Sequence, residues 1–506
     1  MDENSNGSRR ADIADLVVIG AGLSGVFAIV ELSELLGDLA PVTITIFDPA
    51  GEPGGIAYGY RAGDAALTIT AVRDFLPERE RASFTAWLSS NAEGEAAGVA
   101  DTPFGAISEQ WRLRNAESIG DGQWDEMYVP RRLFGYYLDE RFRAAVSKLH
   151  PDSVVELIAE SVTGLQSTSP GHYQVTSHSA QLEATTVLVA VGAGATAKLS
   201  DQPVHDGVIQ DLYEPSLTES LATIDRIASL NEECRLLIIG GNAACMDLIY
   251  HVANTDLENL AVTVTTTNGA LPFEYPPRGQ PARVEWQPHA CNNLLARPNI
   301  VAADIEGAFV QDLDESRGHV PLAQSFEQLE LVLPQLLDRL DTNELLAFAG
   351  HHGHAIGRLQ RRSGNDCMQA VEALAGQGRL LVNQGHIQHI KTDGSELEVT
   401  RLIDGEPHSD RFDIVANCTG APALAGARLG SLSQLLLDGT VTASPGGRGL
   451  VVTDELAAAQ GLFVLGPLLA GNVINDKAVW HTEHCGRLIA FARYLAPILK
   501  SRLLGN

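Results

Sequence analysis

A glycine-rich turn near the N-terminus has the residue types and spacing that can hold a phosphate-bearing cofactor. The motif Gly20-x-Gly22-x-x-Gly25 follows the apolar run Leu16–Ile19 and opens a helix-like stretch. Its first glycine makes a tight turn, its second lets backbone amides approach a pyrophosphate, and its third lets helix and strand pack closely. Asp48 ends the next apolar run, where a carboxylate can accept a hydrogen bond from a ribose hydroxyl. The residues predicted to contact a dinucleotide here are Gly20, Gly22, Leu23, Ser24, Gly25 and Asp48. The alternative is a structural glycine turn with a surface aspartate.

A second glycine turn stands at the equivalent place in the second half of the chain. Gly240 and Gly241 follow the apolar run of residues 235–239, but Asn242 replaces the middle glycine of the motif. A side chain at this position obstructs close backbone approach to a phosphate. The next apolar run ends at Thr266 without a carboxylate, which favours NADPH because an acid there would repel a 2′-phosphate. The predicted NADPH contacts are Gly240, Asn242, Ala243 and Thr266. The alternative is a degenerate domain that binds no nucleotide.

The order of elements around the two turns repeats. Each half contains a strand, a glycine turn, a helix and a strand, then short β-like runs and a final apolar strand that ends near glycine. This order predicts an α/β fold with two Rossmann-like dinucleotide-binding domains, the nicotinamide domain inserted in the FAD domain. Residues 311–375 are predicted to be mostly helical, with Pro334 kinking or splitting a helix. The predicted boundaries are residues 12–200 and 376–500 for the FAD domain and 201–375 for the domain between them.

Composition and charge exclude several other classes of protein. The chain has 506 residues, with 64 acidic and 35 basic residues and a net charge of −29, which disfavours nucleic acid and anionic membranes as partners. No stretch reaches the ~18 apolar residues that span a bilayer, and we expect a cytoplasmic protein. Six cysteines without a Cys-x-x-Cys pair argue against a disulfide framework, a zinc cluster and a dithiol redox centre. His351-His352-Gly353-His354 lacks the usual metal-ligand spacing, so we interpret it as a polar loop and predict no metal.

The chain resembles the bacterial flavoproteins known broadly as FAD/NAD(P)-binding proteins. More distantly, it is similar to the class B flavin monooxygenases that hydroxylate amines. The chain departs from the family pattern at two places. One is Asn242, and the other is Leu67-Thr68-Ile69-Thr70-Ala71, where such proteins usually have Leu-Asn-Val-Pro-Ala near the flavin. The segments that carry it are residues 20–25, 47–48, 54–59, 128–138, 417–420 and 462–467.

The resemblance also implies contacts outside the glycine turns. An arginine of Val129-Pro130-Arg131-Arg132 could pair with the pyrophosphate or a substrate carboxylate, or the two arginines could be a solvated pair. A helix start after Gly471 is expected to face the flavin, which makes Asn472, Asn475 and Lys477 candidate polar contacts and, together with His481, the candidate catalytic residues. His481 could face a substrate or be a structural residue. The further FAD contacts implied are Gly55, Ala57, Tyr58, Arg73, Arg131, Gly192, Gly466 and Pro467.

These features predict an FAD-dependent oxidoreductase. By resemblance, NADPH would reduce FAD and molecular oxygen would then form a flavin hydroperoxide that hydroxylates a small substrate, such as an amine or amino acid, at nitrogen. One alternative is a flavin oxidase or dehydrogenase without nicotinamide binding, and another is a non-catalytic FAD-binding partner or sensor protein. The apolar helices of residues 311–375 could also supply the interface of a homo-oligomer.

Overall fold

The computed structural model of the chain describes residues 13–91, 105–194, 196–199, 205–274, 285–394, 396–403, 405–424 and 430–505. Two separate sheets, each mostly or wholly parallel, organise these residues. The residues 12, 200 and 201, at three of the predicted domain boundaries, lie outside the described residues.

The inner strands of the first sheet are apolar and buried on both faces, as a parallel sheet requires. Ile19 pairs with both Phe47 and Val189, so three neighbouring strands end level and the residues that follow them meet at one edge. The last strand to join is Leu462–Val464, which returns from the C-terminal part to lie parallel to Val187–Val189. In spatial order the strands are Ala457–Ala459, Leu462–Val464, Val187–Val189, Leu16–Ile19, Thr43–Phe47 and Val154–Ile158.

The second sheet repeats this arrangement. Ile239 pairs with Thr265 and with Asn417, so that the second glycine turn also leaves the carboxyl edge of a parallel sheet. In spatial order its strands are Leu380–Gln384, Leu260–Thr266, Cys234–Ile239, Ile414–Asn417 and Val208–Ile209. This pairing places Leu380–Gln384 and Ile414–Asn417 in the second sheet, beyond the boundary predicted at residue 376. Strand partners far apart in sequence cannot be identified from local pattern. We propose instead that the chain returns to the FAD domain after Asn417.

Shorter sheets flank the two main ones. A four-stranded sheet contains Ile13–Ala14, Gln181–Ala184, His172–Thr176 and Gly164–Ser169, and a three-stranded antiparallel sheet contains His386–Asp393, Glu396–Ile403 and Glu406–Phe412. Two-stranded pairs join Phe273–Glu274 to Arg362–Ser363 and Asn472–Ile474 to Lys477–Val479.

Helices pack against both main sheets, and the helices between His289 and Leu359 form a helical unit with a core of its own. The first helix after the first glycine turn, Leu23–Leu36, packs against the last helix, Cys485–Leu503. The other α-helices of the described residues are Gly55–Tyr58, Val72–Phe75, Glu78–Asn91, Gly105–Arg114, Ala116–Gly120, Arg131–Val146, Leu217–Leu230, Ala243–Ala253, His289–Leu295, Ala302–Ser316, Leu322–Leu337, Thr342–Ala347, Gly353–Leu359, Asn365–Gly376 and Ser433–Leu437. Single turns of other helix types are Tyr60–Ala62, Phe348–His352, Gly430–Leu432 and Gly466–Leu469. None of the described helices is long and apolar enough to cross a membrane.

The prediction of a mostly helical segment over residues 311–375 is confirmed, and its helices share a core around Phe309, Phe326 and Phe348. Pro334 does not split its helix. It lies in the last turn of Leu322–Leu337, so the helix ends within a turn of the one backbone hydrogen bond that proline removes.

The histidine-rich segment His351-His352-Gly353-His354 is helical, and the polar loop predicted for it is wrong. Phe348–His352 is a π-helical turn that continues into the helix Gly353–Leu359. Gly353 lets this helix lie directly against Trp480, because any side chain there would overlap the indole ring.

Candidate functional site

The first glycine turn has one position that is open and two that are closed. Gly20 adopts φ +105°, and a Cβ there would overlap the carbonyl oxygen of Ala190. A Cβ on Gly25 would overlap the carbonyl oxygen of Gly20, so this helix can only approach the turn without a side chain. Gly22 differs, because nothing lies within 4 Å of the position that its Cβ would occupy. The turn is therefore closed toward the sheet and open toward the space in front of the helix.

The open side of the turn presents backbone donors. Gly22 is the N-cap of the helix Leu23–Leu36, and no side chain caps this helix end. The first amides of a helix have no partner within the helix, and the helix dipole adds positive charge at the same point. Gly192 follows the neighbouring strand with φ +74° and also faces open space. These features fit a pyrophosphate, which needs close access to unpaired amides and a bare backbone.

Asp48 lies at the turn, where it bonds the backbone. One carboxylate oxygen accepts from the amide of Ala21 at 2.8 Å, and the other accepts from the amide of Ala50 at 2.9 Å. Burial raises the pKa of Asp48, and the two amides oppose that rise. The carboxylate holds the glycine turn against the strand and retains further acceptor sites for a ribose hydroxyl.

Two other glycine segments close around the first turn. Gly54 pairs with Gly22, and a Cβ on Gly55 would lie 2.9 Å from the Cα of Gly22. Gly466, followed by Pro467 in the same single turn, would place a Cβ 3.1 Å from the hydroxyl of Ser24. The predicted FAD residues of these three segments therefore meet at one place. Ala57 and Tyr58 follow in the one-turn helix Gly55–Tyr58.

The guanidinium groups of Arg73 and Arg131 are bonded to other groups of the protein. The Arg73 guanidinium is buried against the carboxylates of Asp74 and Glu126. Arg131 donates to the carbonyl oxygen of Leu67 at 2.7 Å and forms a buried ion pair of 2.9 Å with Asp247. The pairing of Arg131 with a pyrophosphate does not fit these contacts, because the protein already supplies its partners.

Arg132 is also engaged, so the two arginines are not a solvated pair. Its guanidinium bonds both carboxylate oxygens of Glu52, at 2.8 and 3.2 Å, and lies over the ring of Tyr136. Sequence reasoning could not locate these partners, because each lies on another element.

A buried polar network joins the helix Arg131–Val146 to the helix Ala243–Ala253 that follows the second glycine turn. The Tyr213 hydroxyl donates to Asp247 at 2.5 Å, and Arg131 donates to both the Tyr213 hydroxyl and the Asp247 carboxylate. Burial by itself would lower the pKa of Arg131, but Asp247 and Tyr213 outweigh it and raise the pKa above its usual range. Sequence analysis missed Tyr213 and Asp247, although an acid inside the apolar helix Ala243–Ala253 is a signal of a buried partner.

An aromatic cluster supports the segment beside the first glycine turn. The ring of Tyr58 packs edge-on against Phe75 and Phe134, with ring centroids 5.8 and 4.9 Å apart. Its hydroxyl lies 3.0 Å from the thiol of Cys485, at the start of the last helix. Burial and the adjacent thiol raise the pKa of Tyr58, so it is a neutral phenol at pH 7.

Thr68 and Thr482 are two of the four residues whose buried hydroxyls lack partners among the described residues, the others being Ser33 and Ser363. Thr68 lies in the segment that departs from the family pattern, and Thr482 lies just before the last helix. Buried hydroxyls are nearly always hydrogen-bonded, so each is suited to a polar atom of a bound molecule. Both were absent from the sequence-based set of candidate contacts.

The second glycine turn has the same backbone frame with a different lining. Gly240 adopts φ +101°, and a Cβ there would overlap the carbonyl oxygen of Cys418. In the same way, a Cβ on Gly20 would overlap the carbonyl oxygen of Ala190. Asn242 caps the helix Ala243–Ala253, its side chain accepting from the amide of Ala244 at 3.0 Å. The amide of Ala244 is therefore bonded to a side chain, whereas no side chain caps the helix of the first turn. Thr266 ends the adjoining strand, and its hydroxyl lies 3.1 Å from Asn268.

The polar candidates near the C-terminus are dispersed. Asn472 is buried and bonds the backbone of Leu450, Val452 and Leu469, which gives it a structural role. No helix begins after Gly471 as expected. The chain instead turns in a β-hairpin, with Asn475 at its tip and Lys477 exposed in its second strand. His481 precedes the last helix and is accessible, 4.0 Å from Glu483.

Known proteins match this fold and its N-terminal part. Residues 17–194 match the model of a family described as FAD-NAD(P)-binding. The match confirms the resemblance to FAD/NAD(P)-binding flavoproteins and the prediction of an FAD/NAD(P)-binding domain in this part of the chain.

Solved structures show the same fold over nearly the whole chain. The ornithine N-hydroxylase of Kutzneria sp. 744, solved with reduced FAD, NADP+ and L-ornithine, is 14% identical with a TM-score of 0.57, covering 97% of this chain and 99% of that one. The ornithine hydroxylase of Pseudomonas aeruginosa is 11% identical with a TM-score of 0.55, covering 97% and 100%. The predicted fold of two-domain FAD/NADP-binding flavoproteins is therefore confirmed.

Two sequence relatives are uncharacterised mycobacterial proteins. One is from Mycobacterium tuberculosis strain H37Rv and the other from Mycobacterium bovis. Each is 29% identical over 470 residues, covering 89% of this chain and 87% of the relative.

Proposed function

We propose that this chain is an FAD-dependent oxidoreductase that takes reducing equivalents from NADPH. The observation that carries the proposal is the contrast within the first glycine turn. Gly20 and Gly25 are closed by backbone, whereas Gly22 faces empty space in front of an uncapped helix N-terminus. A turn with no ligand to hold has no need of a bare backbone at Gly22.

The residues around the turn have separate tasks in this proposal. The first amides of the helix Leu23–Leu36 bind the pyrophosphate of FAD, and Asp48 holds the turn in shape and accepts from the ribose. Gly54 and Gly466 let two further segments approach the cofactor closely. The flavin, when bound, supplies the redox chemistry, while the chain binds, orients and shields it from water.

We propose further that the enzyme is a monooxygenase of a small amine or amino acid. Support comes from the fold shared with ornithine hydroxylases and with the lysine monooxygenase of Nocardia farcinica, 14% identical with a TM-score of 0.52, covering 96% of this chain and 100% of that one. The protein's share of such chemistry is to hold the amine unprotonated and the flavin dry.

The test measures NADPH oxidation, oxygen uptake and hydrogen peroxide release by the FAD-loaded protein. L-ornithine and L-lysine serve as trial substrates, and their side-chain N-acetyl derivatives are matched controls that lack a nucleophilic side-chain nitrogen. We expect NADPH oxidation to yield a product that has gained one oxygen atom from labelled O2, and no such product from the controls. Peroxide as the only oxygen product with every amine tested would contradict monooxygenase activity on amines while leaving the oxidoreductase intact.

A flavin oxidase or dehydrogenase without nicotinamide binding is the second candidate. Asn242 favours it, because its side chain bonds the helix end that a nicotinamide dinucleotide would approach. This candidate predicts that neither NADPH nor NADH reduces the bound flavin, and that a substrate alone does so. In a sensor or partner protein, FAD would bind but would be reduced neither by a nicotinamide dinucleotide nor by a substrate.

A further inference from the structure

Three arginines lie together on the accessible surface beside the helical unit. Arg358 and Arg448 are exposed, and neither forms a hydrogen bond or an ion pair with any residue that the structure describes. Arg361, also exposed, has a backbone carbonyl as its side-chain partner instead of a carboxylate. Acidic residues outnumber basic ones 64 to 35 in this chain, so unpaired arginines in one place are unexpected. Such a cluster is suited to an anionic ligand.

The fold brings the three arginines together from separate segments. The helix Gly353–Leu359, which carries Arg358, packs on Trp480, and the preceding turn packs on the loop that leads to Arg448 through the contact of Gly350 with Pro445. Partial desolvation of these accessible side chains lowers the pKa of Arg361 and of Arg448, and in each case the charge of Arg358 lowers it further.

Other charged groups face the cluster without neutralising it. Glu483 is the acid whose charge reaches Arg361 and Arg448, and one carboxylate cannot balance three guanidinium groups. His354 is uncharged at pH 7, because burial and the charge of Arg448 lower its pKa to about 4.

The cluster adjoins the second glycine turn. The side chain of Arg361 donates to the carbonyl oxygen of Gly241 at 3.3 Å, and its backbone carbonyl accepts from the amide of Phe273 at 3.1 Å. Gly241 in turn lies against Thr266, since a Cβ on Gly241 would be 2.8 Å from the Thr266 methyl group. Thr266 marks the strand end where a carboxylate would select NADH and a nearby arginine would select NADPH.

We propose that Arg358, Arg361 and Arg448 bind the 2′-phosphate of NADPH. The proposal rests on the function proposed above and adds the residues that choose between the two nicotinamide dinucleotides. None of the three arginines lies in a strand of the second sheet, so that sheet by itself does not complete the site.

The test measures binding of 2′,5′-ADP and of 5′-AMP to the FAD-loaded protein by titration calorimetry. Arg358→Gln and Arg448→Gln are combined in one variant, because neither side chain has a partner whose loss would unfold the protein. Arg226→Gln, an exposed arginine on the helix Leu217–Leu230, is the matched control. We expect the double variant to bind 2′,5′-ADP about tenfold or more weakly, with 5′-AMP changed less than about twofold. The control should bind both as the parent does.

Unchanged binding of 2′,5′-ADP in the double variant would overturn the proposal. Equal weakening of both ligands would also overturn it, because the cluster would then bind the 5′-phosphate instead. Anaerobic reduction of FAD by NADPH and NADH separates this outcome from failure of the proposed function. If neither dinucleotide reduces the flavin, the proposed use of NADPH fails, whereas the calorimetry still decides whether the arginines bind a 2′-phosphate.

Discussion

Substituting alanine at Gly22 and at Gly25 should separate cofactor binding from folding. The two glycines lie three residues apart and receive the same methyl group, yet their surroundings differ. A Cβ on Gly25 meets the backbone oxygen of Gly20 closer than the 3.0 Å that real Cβ atoms respect, and backbone atoms cannot swing aside. A Cβ on Gly22 meets nothing within 4 Å, and its φ of −68° suits alanine.

The expected energies follow from these contacts. Gly25→Ala overpacks the turn against backbone atoms that cannot move aside, so its cost should reach or exceed the upper end of the usual range of about 1–3 kcal/mol, and the better helix propensity of alanine returns only about 1 kcal/mol. Gly22→Ala replaces an N-cap glycine with a poorer cap, at about 0.5–1 kcal/mol. We therefore expect Gly25→Ala to lower the stability of the FAD-free protein and Gly22→Ala to leave it nearly unchanged.

Although Gly22→Ala should affect stability less than Gly25→Ala does, it should strongly weaken FAD binding. Its methyl group would occupy the space through which the pyrophosphate reaches the amides, and we expect FAD affinity to fall about tenfold or more. The assay compares FAD retained per chain after gel filtration with urea unfolding of the FAD-free proteins. A Gly22→Ala protein that retains FAD as the parent does would refute the placement of the pyrophosphate at this turn.

Three other predictions concern buried groups. Asp247→Asn should destabilise the protein to urea by about 3–5 kcal/mol because it leaves Arg131 buried and unpaired, whereas Tyr213→Phe should cost about 1–3 kcal/mol; equal, small losses would argue against a network. His354 has a pKa lowered to about 4 from 6.5, so the unfolded chain takes up its proton first and stability should fall as pH falls through this range. In His354→Gln that fall should be smaller by about 1–3 kcal/mol, and identical pH profiles would contradict the assigned pKa. All six cysteines are buried, so a maleimide at pH 7.5 should label less than about one thiol per native chain and all six after denaturation; a rapidly labelled native thiol would show that one of them is accessible.

The parts of the fold that depend on neighbours in sequence could be predicted from the sequence. Both glycine turns follow from strand, turn and helix signals within about thirty residues, and the structure reproduces the same backbone closure at Gly20 and Gly240. The missing carboxylate at Thr266 is equally visible in the sequence, because its position is set by the end of a strand.

The parts that depend on partners far along the chain could not be predicted. Arg131 was expected near a pyrophosphate, but its partner Asp247 lies 116 residues away on another helix. The hairpin around Asn475 replaces an expected helix start, because the pairing of its strands outweighs the local glycine signal. Likewise, the cluster of Arg358, Arg361 and Arg448 has no sequence motif, since contacts of the helical unit assemble it.

Anaerobic addition of NADPH to the purified, FAD-loaded protein tests the central claim most directly, with NADH as the comparison. The account predicts a yellow protein whose flavin absorbance near ~450 nm bleaches with NADPH, and more slowly with NADH. A protein that holds no FAD after reconstitution would contradict the cofactor assignment. A flavin that stays oxidised with both dinucleotides would contradict the proposed use of NADPH.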